Sequence, residues 1–399
     1  MINVRHRAAV VLALAAASGA VLTACSSSGG SQPSGSTDGS AVATTPAAAG
    51  HAAAVTITAA DGCELNSTEF AAGGITFTIT NKDATAVSEV ELLDGERIIG
   101  EKENVPPGLG GKFAVSVDAG RYTVYCPGAA TEKSTITVTG KAAPADDSIA
   151  ALIKQGTSEY KKYVDTQVAY LVQFTGKLTT ALQGNDVKSA QVAYIAARPY
   201  YEKIEPVAES FVLGKQNLDA EIDARAGDVP ASKWSGFHRI EQLLFQKHTI
   251  KGTQQWGTLL LKDVKLLQQE TAELTYQAPD LANGAQELLD EVAASKITGE
   301  EERYSHIDLV DMVNNVEGAE QAFADLQPAV TKIDPDLAKQ ITTQFASLDK
   351  TLDNYRTRSN PSGYRLYTSL DDTDRHALAA AVKAVQEPLS NVAGKVANP

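Results

Sequence analysis

The segment Gly236-Phe-His-Arg-Ile-Glu-Gln-Leu-Leu-Phe245 carries a histidine and a glutamate three residues apart, His238 and Glu241, within a run whose apolar residues have helical spacing. That spacing sets both side chains on one helix face, bordering a stripe of Phe237, Ile240, Leu243, Leu244 and Phe245. A carboxylate turned toward a helical interior is costly unless it is paired or bound to a metal. Upstream, Arg198-Pro-Tyr-Tyr-Glu202-Lys-Ile-Glu205 sets Glu202 and Glu205 on a shared face. Downstream, a Glu-Glu-Glu-Arg-Tyr-Ser-His306-Ile-Asp308-Leu-Val-Asp311 run opens a further helix. Each piece alone has a plainer reading, a solvated face or a surface hydrogen bond. Together they match the way helical bundles build metal sites, from carboxylates and a histidine on several facing helices. One histidine with three or more carboxylates suits iron, and less well zinc or manganese.

A second set lies earlier in the chain. Cys63 and Cys126 are accompanied by Glu89 and Glu91, which alternation places on one sheet face, and by Glu101 and Glu103 on the following loop. Two readings are open: a disulfide, as an oxidising compartment favours, or a thiolate–carboxylate site for copper or iron.

The elements that must position these residues fall into two modules. From 55 to 140, seven runs of period-two residues are punctuated by Asn81-Lys-Asp, Asp94-Gly, Pro106-Pro-Gly and Asp118-Ala-Gly, the pattern of a small β-sandwich. After a linker at 142–147 the period becomes 3.6, with amphipathic helices expected at 147–183, 186–211, 230–245, 257–277, 280–294, 305–327, 335–355 and 372–393. Pro335 marks a first helical turn, and Gly184-Asn and Pro328 mark helix ends. The region 146–399 is thus an all-α bundle.

Residues 1–24 read as a lipoprotein signal peptide: Arg5, His6 and Arg7, an apolar Ala8–Ala17, then Leu22-Thr-Ala-Cys25, which resembles a bacterial lipobox with Cys25 lipidated. The apolar run is shorter than the roughly 20 residues of a membrane span. Residues 25–54, rich in Ser, Gly, Ala and Thr, read as a flexible tether. The expected location is therefore the extracytoplasmic side of the cell membrane, periplasmic or cell-surface, by a lipid anchor. Removal of the signal takes away Arg5 and Arg7 and moves the formal charge from −14 to −16. Such an acidic chain is a poor ligand for nucleic acid.

The order of the β-runs, ending in Tyr125-Cys-Pro-Gly128, resembles a cupredoxin, yet 55–141 contains no His and no Met. A blue-copper centre needs both His and Cys and usually an axial Met, so that chemistry is excluded. Residues 190–325, with SGFHRIEQLLF, RPYYEKIEPVAE, EIDARAGD, EVAASKITGEEERYSHIDLVD and NVEGAE, closely resemble imelysin-type domains, and the cupredoxin-like plus imelysin-like order resembles the EfeO family of Efe iron-uptake systems. The resemblance implies metal ligands at His238, Glu241, Glu202, Glu205, Asp223 and Asp308. In the sandwich it implies Cys63, Glu89 and Cys126, with Glu101 and Glu103 as additional ligands. It also implies an Efe-type membrane iron permease and a secreted haem peroxidase as partners.

Three functions are open to such a chain. An iron-binding carrier that delivers to a permease, with copper or a second iron in the sandwich, fits the constellation. A metallopeptidase, the class with which imelysin domains have been grouped, is disfavoured because His-Glu-x-x-His occurs nowhere in the chain. A polysaccharide-binding module is disfavoured because Trp234 and Trp256 are the only two tryptophans.

Overall fold

A computed structural model describes residues 51–95, 97–142, 146–213 and 216–399. The expected signal peptide, Cys25 and the expected tether up to residue 50 lie outside the described residues. No helix among the described residues is long and apolar enough to cross a membrane.

The first module is a β-sandwich that begins at Ala52, three residues before the expected start. One sheet has the order β2 (Gly62–Leu65), β1 (Ala52–Thr58), β4 (Gly73–Asn81), β7 (Gly110–Val117). The other runs β3 (Glu69–Ala71), β9 (Lys133–Thr139), β8 (Gly120–Tyr125), β5 (Val90–Asp94), β6 (Arg97–Lys102). Alternation explains the packing: in β4, Ile75, Phe77 and Ile79 point inward, and Phe77 stacks on Phe113 of β7 at 4.9 Å. The short strands β2 and β3 had no clear period in the sequence. They are held at the edges by pairing with β1 and β9.

The second module is helical, as expected. Helix α1 (Asp147–Leu182) is capped by the Asp146 carboxylate and buries Tyr160, Val164, Val168, Leu171, Leu178 and Leu182 along one stripe. The helix expected at 186–211 is broken into α2 (Val187–Ala197), α3 (Pro199–Glu202) and a 3-10 turn at Glu205–Ser210. Pro199 and Pro206 each lack the N–H that would continue the ladder. A short α4 (Leu218–Asp223) follows. The expected 230–245 helix starts only at Gly236, as α5 (Gly236–Glu241), and continues as a π-turn at Gln242–Gln246.

Helices α6 (Gln254–Glu273), α7 (Ala278–Ala294), α8 (Asp308–Ile333), α9 (Pro335–Asp353), α10 (Asp372–Leu389) and α11 (Val392–Ala397) complete the bundle. Helix α8 starts at Asp308 rather than 305 and runs through Pro328 instead of ending there. The segment from Gly299 to Ile307 is a turn in which His306 takes a left-handed backbone.

The modules are joined by polar contacts that read backbone as well as side chain. Asn283 of α7 donates to the Ala114 carbonyl at 2.6 Å and accepts from its N–H at 3.3 Å, extending the edge of β7. Lys102, at the end of β6, reaches Glu287 at 2.8 Å and Asp290 at 2.6 Å.

Candidate metal centre

The site is assembled by short elements, not long helices. Gly236 has φ +78°, and a Cβ there would lie 2.1 Å from the Ile222 carbonyl, so only glycine lets α5 start against the end of α4. This brings His238 of α5 to Asp223, the last residue of α4. His238 Nε2 lies 3.7 Å from Asp223 Oδ1 and 3.6 Å from Glu301 Oε1. Ligand atoms of Asp223, His238 and Glu301 lie within 4.8 Å of one another, all three residues are buried, and His238 Nε2 has no hydrogen-bond partner. A nitrogen and two carboxylate oxygens converging on one point make a donor set for a borderline or hard cation.

Glu241, expected among the ligands, lies outside this group of three. Its Oε1 accepts the backbone N–H groups of Tyr304 and Ser305, both at 2.7 Å, and its Oε2 faces His238 Nδ1 at 3.3 Å. It anchors the 299–307 turn that carries Glu301 and orients the imidazole so that Nε2 faces Asp223 and Glu301. Burial would lower the His238 pKa, but Asp223, Glu241 and Glu301 outweigh it and hold the ring protonated well above its ordinary range. A metal at Nε2 therefore displaces a proton.

Glu202 and Glu205 are not brought to the triad. Glu202, fully buried, pairs with Arg198 and accepts from Asn315 at 3.0 Å. Glu205 takes Lys296 at 2.7 Å and Asn315 at 2.6 Å. Asp308 accepts from the Glu302 N–H at 3.1 Å through Oδ1, while its Oδ2 is buried without a partner; burial pushes its carboxyl up to about 6. Around the triad burial lifts other carboxyls too, Glu202 and Asp311 well above the usual range against the pull of Arg198, and Glu302 to about 8. Burial also works to raise Glu301, but Lys296, His238 and Arg225 outweigh it and hold its carboxyl well below that range.

Three central residues escaped the sequence reading. Glu301 sits in a Glu-Glu-Glu-Arg run that looks like solvated charge, and only its position beside the Ser-His-x-Asp segment could have marked it. Arg198 and Lys296 are buried cations, and sequence offers no sign of burial for either. A cleft of about 520 Å³ between the modules reaches the triad at Asp223 and Glu301, with Glu101, Glu103, Asp219 and Glu291 also on its walls.

In the sandwich, Cys63 and Cys126 form a disulfide, with Cα atoms 6.3 Å apart. Bridged sulfurs are not thiolates, so the thiolate site is corrected to a structural cross-link between the β1–β2 sheet and the end of β8. Glu89 precedes β5, Glu91 lies within it opposite Glu101, and Glu101 is on β6 rather than on the loop. Burial, then Glu89, pushes Glu91 up to about 7; burial also raises Glu103, despite Lys102. Among the described residues, Glu89, Glu91, Glu101 and Glu103 do not form a group with ligand spacing. Trp234 and Trp256 both pack on the Arg239 guanidinium, at 4.9 and 5.5 Å, not on an open face.

Comparison with known proteins agrees with this architecture. The imelysin family profile (peptidase M75) matches residues 156–392, and that of the cupredoxin-like domain matches 39–138. Proteins described as "Iron uptake system component EfeO" from Yersinia pestis and from Escherichia coli (strain K12) are each 37% identical, over 339 and 338 residues, covering 83% of this chain and 88% of theirs. The chain belongs to the imelysin family and, within it, to the EfeO family of iron-uptake components, with a cupredoxin-like module ahead of the helical one.

Proposed function

We propose that the chain is an extracytoplasmic carrier, lipid-anchored through Cys25, that captures iron in the helical module and delivers it to a membrane permease. The observation that carries the reading is the convergence of His238 Nε2, Asp223 and Glu301 in a buried pocket where the nitrogen has no other partner. That relatives of the chain are components of an iron-uptake system supports iron as the cargo. The cleft beside Asp223 and Glu301 supplies a route from solvent, and its carboxylates suit a hydrated cation on its way in. An Efe-type permease and a secreted haem peroxidase are the partners this reading carries over from the family resemblance. Copper has no support in the sandwich once Cys63 and Cys126 are bridged.

Titration of the purified protein with ferrous ion, without oxygen, tests the reading. Wild type is expected to bind a single equivalent, and Asp223→Asn, His238→Ala and Glu301→Gln each to lose it. Binding that survives all three changes would refute the assignment.

A further inference from the structure

Arg198 caps the C-terminus of α2, is fully buried, and faces more carboxylates than it can neutralise. Its guanidinium contacts Glu202 and Asp223, lies 3.0 Å from Asp311 through Nη2 and 3.0 Å from Glu302 through Nε, and comes within 3.9 Å of Glu301. The oxygen of Asp223 that accepts from Nη1 is the one that faces His238 Nε2. The Glu301 oxygen nearest Arg198 is also the one nearest His238. The arginine and the triad thus address the same two carboxylates.

We propose that Arg198 is an internal stand-in cation: it gathers the buried carboxylates when no ion is bound and competes with the incoming ion for Asp223, keeping capture reversible. This rests on the metal reading of the triad. Buried carboxylates without a counter-charge separate or protonate, and the planar guanidinium, with five donors, can hold several at once. An ion at the triad would compete with Nη1 for Asp223 Oδ1 and would sit beside a permanent positive charge. Phe237 stacks on one side of the guanidinium at 5.1 Å, so the group can shift its donors to Glu202, Glu302 and Asp311 but has no way out to solvent. Cation–cation repulsion at this range, even strongly screened, weakens binding by about tenfold or more. A carrier that must hand on its cargo gains from that weakening.

The test compares ferrous-ion affinity and thermal stability of wild type, Arg198→Gln and Arg198→Lys. Arg198→Gln is expected to melt lower than wild type when metal-free, to bind ferrous ion about tenfold tighter or more, and to show the larger iron-induced rise in Tm. Arg198→Lys, which keeps the charge, is expected to bind close to wild type. Affinity in Arg198→Gln that is unchanged or weaker overturns the proposal. Should that variant fail to fold, the wild type alone decides. One measurement needs no variant: in crystals of wild type with ferrous ion, Arg198 Nη1 is expected beyond hydrogen-bond distance of Asp223, and a retained contact overturns the proposal. A wild type that does not bind ferrous ion at all refutes the metal reading itself, an outcome distinct from the others.

Discussion

Replacing Lys102 with methionine would cut the ionic contact that fixes the sandwich on α7. The lysine side chain is 7% exposed, with Glu287 at 2.8 Å and Asp290 at 2.6 Å. Breaking a buried ion pair from one side costs about 3–5 kcal/mol, because the remaining carboxylates keep their desolvation without a partner. Burial raises the Glu287 carboxyl, and Lys102 opposes it, leaving the group at about 8, above its unfolded value. A carboxyl with a raised folded pKa binds more protons when folded, so its contribution to stability falls as pH rises from about 4.5 to about 8. Without Lys102 the opposing influence is gone and the window extends further upward.

The penalty of Lys102→Met should therefore be about 2 kcal/mol at pH 5, where Glu287 is protonated and the charge-assisted contact to Asp290 is the main one lost. It should reach about 3 kcal/mol or more at pH 9. Urea denaturation across this pH range, read from the midpoint and slope, measures it, and Lys102→Met with Glu287→Gln should recover part of the loss at high pH, Asp290 still lacking its cation. A penalty below about 0.5 kcal/mol, or one that does not change with pH, would refute the reasoning.

Glu241→Gln should weaken ferrous-ion binding by about 10–100-fold without abolishing it, since Glu241 orients His238 and does not join the triad; complete loss in a titration would make it a ligand. Opening the Cys63–Cys126 bridge, which spans 63 residues, should cost the sandwich about 4 kcal/mol by chain entropy while iron binding at the bundle is unchanged. Iron loss on reduction would return the sulfurs to the metal account. Asp263 of α6 is 1% exposed, its two oxygens lack hydrogen-bond partners, and burial, then Glu221, pushes it up to about 6 against the pull of Lys262, whose Nζ is 3.8 Å away. Its raised pKa makes stability fall as pH rises through about 4 to 6. Asp263→Asn should thus add on the order of 2 kcal/mol at pH 7.5 and almost nothing at pH 4, and thermal melts that move equally at both pH values would contradict this.

The two-module order and most helix positions were legible because period two and period 3.6 are properties of local sequence. The His238-x-x-Glu241 spacing and, through the resemblance, Asp223 fall on residues that the fold brings close to one another. What was not legible depended on tertiary contact. Pro199 and Pro206 broke an apparently continuous helix, so Glu202 and Glu205 turned toward Arg198 and Lys296 instead of the triad. The acidic run at 300–302 gave no sign that Glu301 would be folded inward by a turn anchored on Glu241. The cysteine pair left two readings open, and only the approach of β2 to the end of β8 decided between them.

The most direct measurement is anomalous diffraction at the iron edge from crystals loaded with ferrous ion. The account predicts one peak in contact with His238 Nε2, Asp223 and Glu301. A peak in the sandwich near Glu89 and Glu91, with none at His238, would contradict it.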